Sequence, residues 1–124
     1  MDHDQIVSNK VIGAAIEVHR VLGPGLLESI YETCLAHEFE SRRIRFRRQV
    51  PVPVIYKDLK LAGLYRIDFV VKDALLLELK SVEHVLPVHK AQALSYMRLM
   101  GVTQGILMNF NEAKLVDGLT NLLL

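Results

Sequence analysis

The residue pattern predicts an α/β domain: a mixed sheet made of an antiparallel three-strand meander plus a parallel crossover strand, flanked by helices. Three observations carry that expectation. The chain opens with two stretches whose apolar residues recur at helical spacing, split by Gly23-Pro24-Gly25. From Tyr65 to Lys80, apolar and charged residues alternate with period two around the polar pair Lys72-Asp73, which is the spacing of two strands joined by a reversal. The last third reads strand, helix, strand, and a strand that returns to its sheet through a helix lies parallel to the first in a right-handed crossover.

In order, Gln5 to about Leu22 places Val7, Val11, Ala14 and Val18, with Ile12 and Ile16, on one side of an amphipathic helix. Gly23-Pro24-Gly25 interrupts it. A second helix follows, with Leu27, Ile30, Cys34, Leu35 and Phe39 as its expected buried stripe. Gln49 to Tyr56 reads as one extended strand whose two prolines, lacking a ladder donor, suit a sheet edge. Lys57-Asp58 then turns the chain toward the hairpin. Beyond Lys80, Glu83 to Pro87 is a loop, and Pro87 fits the first turn of a third helix that runs to about Met100 and stops at Gly101. Gly105 to Phe110 is a short apolar run consistent with a buried strand, and Leu115 to Leu124 fits either a final strand or a short helix. No repeat, linker or low-complexity segment divides residues 1–124, so one domain is expected.

The hairpin concentrates the chemistry. If the chain reverses around Asp73, Asp68 lies opposite Glu78 and Arg66 opposite Lys80, and opposed like charges about 5 Å apart repel unless something compensates. A divalent cation would do so, because hard ions such as Mg²⁺ take one or two carboxylates together with waters and phosphate oxygens. Lys80 points to the same side as Glu78, about 6.6 Å along the strand, where it would orient or activate a water. The competing reading is a solvent-facing ladder of Arg66, Asp68, Glu78 and Lys80 joined diagonally by weak ion pairs.

Composition narrows the field further. With 51% hydrophobic and 23% charged residues the chain is globular, and a formal net charge of +1 provides no global basic field. Positive charge is local instead: Arg42, Arg43, Arg45, Arg47 and Arg48 crowd into seven residues. Such a cluster either neutralises phosphates of a nucleic acid or keeps a helix end and an edge strand soluble. The lone cysteine, Cys34, has no zinc-ligand spacing around it and reads as a small core residue. Met1 to Gln5 carries no secretory pattern and no apolar run reaches the ~18 residues of a membrane span, so a cytoplasmic protein without membrane contact is expected.

The predicted order, helix, helix, three antiparallel strands, helix, strand, resembles the restriction-endonuclease-like core of the PD-(D/E)XK nuclease superfamily. More closely, the chain resembles the GxxExxY family, on Gly25-Leu26-Leu27-Glu28-Ser29-Ile30-Tyr31. The likeness extends through Ile12 to His19, Leu22 to Gly25, Tyr65-Arg66-Ile67-Asp68, Glu78-Leu79-Lys80, Val88-His89-Lys90-Ala91-Gln92 and Asn109-Phe110-Asn111. The resemblance implies Asp68 and Glu78 as metal ligands, the Leu79 carbonyl as a third, Lys80 beside the nucleophilic water, and Glu28 as a helix-borne acid that helps hold the metal directly or through water. Ile67 stands where the superfamily pattern usually has proline, and Asn121 where family members tend to carry a basic residue.

In that light His89, Gln92 and Tyr96, at i, i+3 and i+7, share one helix face, as do Glu28 and Tyr31. Gln92 and Glu28 are assigned to the site, and Tyr31, His89 and Tyr96 to its surroundings. Taken singly, His89 also reads as a first-turn cap, Gln92 as a satisfied core amide, the tyrosines as core aromatics and His19 as structural. The expected activity is Mg²⁺- or Mn²⁺-assisted hydrolysis of phosphodiester bonds in nucleic acid, DNA favoured over RNA, with the arginine cluster as part of the grip. The small size leaves room for a homodimer. The alternative is a non-cleaving binding or accessory module on the same fold.

Overall fold

A computed structural model describes residues 2–124. Helix α1 (His3–Leu22) starts at Asp2, whose carboxylate accepts the Gln5 N–H at 2.8 Å and so satisfies one of the free donors of the first turn. It ends at Gly23, whose φ of 71° suits a residue without a Cβ. Helix α2 (Glu28–Ser41) follows, and its buried face is Tyr31, Leu35, Ala36 and Phe39. The expected stripe is thus only partly right: Leu35 and Phe39 are buried and Cys34 half-buried, while Leu27 and Ile30 are exposed. The phase is set by Tyr31 and Phe39, whose rings find aromatic partners in Phe110 and Phe69 at 4.5 and 5.3 Å.

Five strands form one mixed sheet in the order β1 (Phe46–Pro51), β4 (Arg66–Val71), β5 (Leu75–Lys80), β6 (Gln104–Asn109), β7 (Leu119–Leu123). β1, β4 and β5 are antiparallel neighbours, β6 runs parallel to β5, and β7 returns antiparallel along β6. The predicted meander and crossover strand are therefore present. The stretch from Gln49 to Tyr56 is not one strand, however. β1 stops at Pro51 on the sheet edge, and β2 (Val54–Tyr56) pairs with β3 (Leu59–Leu61) in a separate two-stranded ribbon. Pro51 and Pro53 remove two backbone donors within three residues, so no ladder runs through them.

Helix α3 (Pro87–Met100) makes the crossover from β5 to β6 and ends at Gly101 in the left-handed region. The C-terminal segment satisfies both of its readings, a 3₁₀ turn at Leu115–Gly118 followed by β7. Gly118 is required there, since a Cβ would sit 2.1 Å from the Asn109 carbonyl oxygen.

The sheet separates two apolar clusters. Val11, Ala14, Leu35, Phe39, Phe69, Leu77 and Met108 pack under α1 and α2, whereas Val50, Ile67, Val70, Leu76, Met97 and Leu107 pack under α3. Burial of these side chains supplies most of the driving force for the fold. Asn109, 2% exposed at the end of β6, bonds both backbone groups of Val82 and so ties down the segment leaving β5.

Candidate active site

From Val71↔Leu75 to Phe69↔Leu77, β4 and β5 pair residue by residue in the register expected for a reversal around Asp73. Beyond that the backbone ladder stops and side chains replace it. The Asp68 N–H donates to Glu78 Oε1 at 2.9 Å, and the Leu79 N–H donates to Asp68 Oδ2 at 2.8 Å. Each carboxylate reaches across the gap to a backbone donor of the other strand, so the two acids hold each other at the open end of the hairpin. The β4–β5 ladder does not extend to an Arg66–Lys80 pair; Arg66 pairs with Pro51 on the β1 side, and its guanidinium donates to the Gln49 carbonyl at 3.2 Å. Among the described residues, the ion pairs are formed elsewhere and the salt-bridged ladder is absent.

Strict alternation also fails at Asp68. Phe69 belongs to the cluster under α1 and α2, while Ile67, two residues away, belongs to the cluster under α3. β5 keeps its alternation: Leu75, Leu77 and Leu79 face α1 and α2, which leaves Glu78 and Lys80 on the same side as Leu76, toward α3. Asp68 thus sits at a local turnover of its strand and meets Glu78 across it.

The electrostatics of the pair follow from burial. Glu78 is only 7% exposed; desolvation first, then the Asp68 charge, pushes its carboxyl up to about 8, against the opposing pull of the Asp68 N–H and Lys80. Asp68, half-buried, is raised to about 6 by desolvation, partly offset by the Leu79 N–H, with Glu32 and Glu28 adding repulsion. The site therefore resists holding two negative charges. Tyr96 is raised to about 12, mainly by its own burial and then by Glu78, Tyr65 and Asp68, which places its hydroxyl within electrostatic reach of the acids. Its ring lies 5.7 Å from that of Tyr65.

These donors suit a hard divalent cation. Among the described residues no three His, Cys, Asp or Glu side chains gather into a metal cluster, but Mg²⁺ asks for only one or two carboxylates and keeps several waters. A backbone oxygen is at hand. The Lys80 carbonyl accepts from Phe110 N–H at 2.8 Å on the β6 side, and because carbonyls alternate along a strand, that of Leu79 points to β4, as its N–H does. A cation between Asp68 and Glu78 would also offset the burial and the neighbouring negative charge that raise both.

The remaining predicted residues divide. Glu28, the exposed first residue of α2, acts on Asp68 and Glu78 by charge alone. Gln92 is half-buried one turn before Tyr96, and among the described residues its amide bonds none of the acids. His89 is a cap, its Nδ1 accepting the Leu86 N–H at 3.0 Å. Tyr31 is fully buried; its hydroxyl donates to the Gly23 carbonyl at 2.6 Å and accepts the Leu26 N–H at 3.1 Å, bracing the loop that delivers Glu28. His19 bonds the Glu112 carbonyl at 2.8 Å and is structural.

The arginine cluster is not gathered at the acids. Arg42 pairs with Glu38, Arg47 with Asp73 and Arg48 with Glu32. The Arg45 backbone carbonyl accepts the Lys72 N–H beside the hairpin turn, about 13 Å along the strand from Asp68, and Arg43 precedes it. Two residues that sequence reasoning missed stand closer: Glu32 and Gln49. Glu32 was signalled by its i, i+4 spacing from Glu28, which puts both on one face of α2. Nothing in the sequence marks Gln49, whose place depends on β1 pairing with β4.

The family model of the PD-(D/E)XK nuclease superfamily matches residues 5–121, nearly the whole chain, and the protein belongs to that superfamily. No curated protein and no solved structure matches it. Among the described residues no helix is long and apolar enough to cross a membrane.

Proposed function

We infer that this member of the PD-(D/E)XK nuclease superfamily is a divalent-metal-dependent nuclease that hydrolyses phosphodiester bonds of nucleic acid, DNA foremost, and that it sits within the superfamily as a GxxExxY protein. The observation that supports this reading best is the reciprocal lock of Asp68 and Glu78, two repelling acids held together at the one place where the hairpin gives up its backbone ladder.

In this reading Asp68 and Glu78 would hold Mg²⁺ or Mn²⁺, the Leu79 carbonyl would add a third oxygen, and Glu28 would assist directly or through water. When bound, the ion polarises the phosphate and lowers the pKa of its water. Glu78 would release its carboxyl proton to solvent on metal binding, because ligation requires the carboxylate. The Lys80 ammonium, on the same side as Glu78, steadies the attacking water and the charge that develops on the phosphoryl oxygens. Gln92 orients substrate or water from α3. Arg43, Arg45 and Arg47 serve phosphates remote from the scissile one, which makes binding weaken with salt.

The test is a calorimetric titration with Mn²⁺ and Mg²⁺, with Asp68→Ala and Glu78→Ala as controls and cleavage of a labelled oligonucleotide followed alongside. Binding lost in both variants, with metal-dependent cleavage by the unaltered protein, is the expected result. Metal binding without cleavage of DNA or RNA would favour the accessory-module alternative. No metal response in the unaltered protein would overturn the site.

A further inference from the structure

Next to Asp68 lies an arrangement that metal binding alone does not require. Gln49 in β1 has φ of 53°, a conformation costly for a residue with a Cβ and kept only where its surroundings impose it. At the same point both strands turn over. Phe46 and Phe69 face α1 and α2, whereas Val50 and Ile67 face α3, although the register runs unbroken from Arg48↔Phe69 to Val50↔Ile67. No residue is inserted, so this is not a bulge in the usual sense. What the turnover achieves is the direction of one amide: Gln49 Nε2 donates to Glu32 Oε1 at 2.5 Å and to Asp68 Oδ1 at 3.3 Å.

Glu32 is in turn held. Its side chain is 14% exposed, Arg48 Nε donates to its Oε2 at 2.7 Å, and Arg48 Nη2 reaches Thr33 Oγ1 at 3.1 Å. A chain of contacts therefore runs from α2 through β1 to the acid of β4. Both Asp68 oxygens are spoken for, Oδ2 by the Leu79 N–H and Oδ1 by Gln49.

We propose that Gln49 and Glu32 are positioning residues for Asp68, and that the strained backbone at Gln49 is retained because it aims the amide that fixes the Asp68 carboxylate. The metal part of this inference rests on reading Asp68 as a ligand; the positioning part does not. Outer partners of metal-ligating carboxylates typically change metal affinity 10- to 100-fold when removed, whereas a purely architectural residue changes stability instead.

Gln49→Gly separates the two roles, since glycine adopts the positive φ freely and lacks the amide. The expected result is a melting temperature equal to or above that of the unaltered protein, a Leu79 amide resonance that shifts and exchanges its hydrogen faster, and Mn²⁺ affinity lower by about 10-fold or more. Glu32→Ala should reproduce the Leu79 change, and Glu32→Gln, whose amide oxygen still accepts from Gln49, should restore part of it. An unchanged Leu79 amide in Gln49→Gly would overturn the proposal, as would a lowered melting temperature with protection lost across the whole sheet. A Leu79 response in a protein that binds no Mn²⁺ would keep the positioning role and sink the nuclease reading.

Discussion

The two ends of the β4–β5 hairpin are built on opposite principles. At the turn end, Val71↔Leu75 to Phe69↔Leu77 form a backbone ladder of fully buried apolar residues, and Phe69 makes T-shaped contacts with Phe39 and Phe46. At the open end the ladder is exchanged for two carboxylates that take over its donors, and both acids are pushed toward protonation by the burial that stabilises their neighbours. One end maximises stability. The other spends it on charge held in low dielectric, the usual mark of a functional site. The two acids thus stand where the hairpin ladder would otherwise have continued.

The largest effect expected from breaking this division is on stability. Phe69→Ala should destabilise the protein by about 3–5 kcal/mol in denaturant unfolding, while the fraction that stays folded binds Mn²⁺ with unchanged affinity. Affinity lost in that folded fraction would show that the two ends are not separable. At the open end, Lys80→Ala should slow oligonucleotide cleavage about 100-fold, equivalent to ~2.7 kcal/mol of barrier, with Mn²⁺ binding retained in calorimetry.

The sharpest effect on the comparison is on pH. Because the folded state raises Glu78 from 4.5 to about 8 and Asp68 from 3.8 to about 6, the folded chain binds protons more tightly than the unfolded one. Stability from these groups is full below the unfolded values and is lost as pH rises through the folded ones. Without metal, the melting temperature should therefore fall between pH 5 and pH 8.5, the contribution of Asp68 going first and that of Glu78 last. Glu78→Gln should recover most of that loss at pH 8.5 and little of it at pH 5. A profile as steep in the variant as in the unaltered protein would show that other groups govern it.

Much of this was legible in the order of residues. Period-three-to-four and period-two patterns located all three helices and the hairpin, Pro87 and Gly101 marked the ends of α3, and a reversal around Asp73 set Asp68 across from Glu78, although the alternation itself fails at Asp68. What the tertiary structure alone decided involves elements distant in the chain. It set the phase of α2 through Tyr31 on Phe110, and it split the prolines' strand in two. It dispersed the arginines into ion pairs with Glu38, Asp73 and Glu32, and brought Glu32 and Gln49 onto Asp68. The physical reason is that hydrophobic periodicity specifies which side of an element is buried, while the direction of a hydrogen bond depends on which strand lies beside it and on where the backbone turns over, and those are settled only when β1, β4 and α2 pack together.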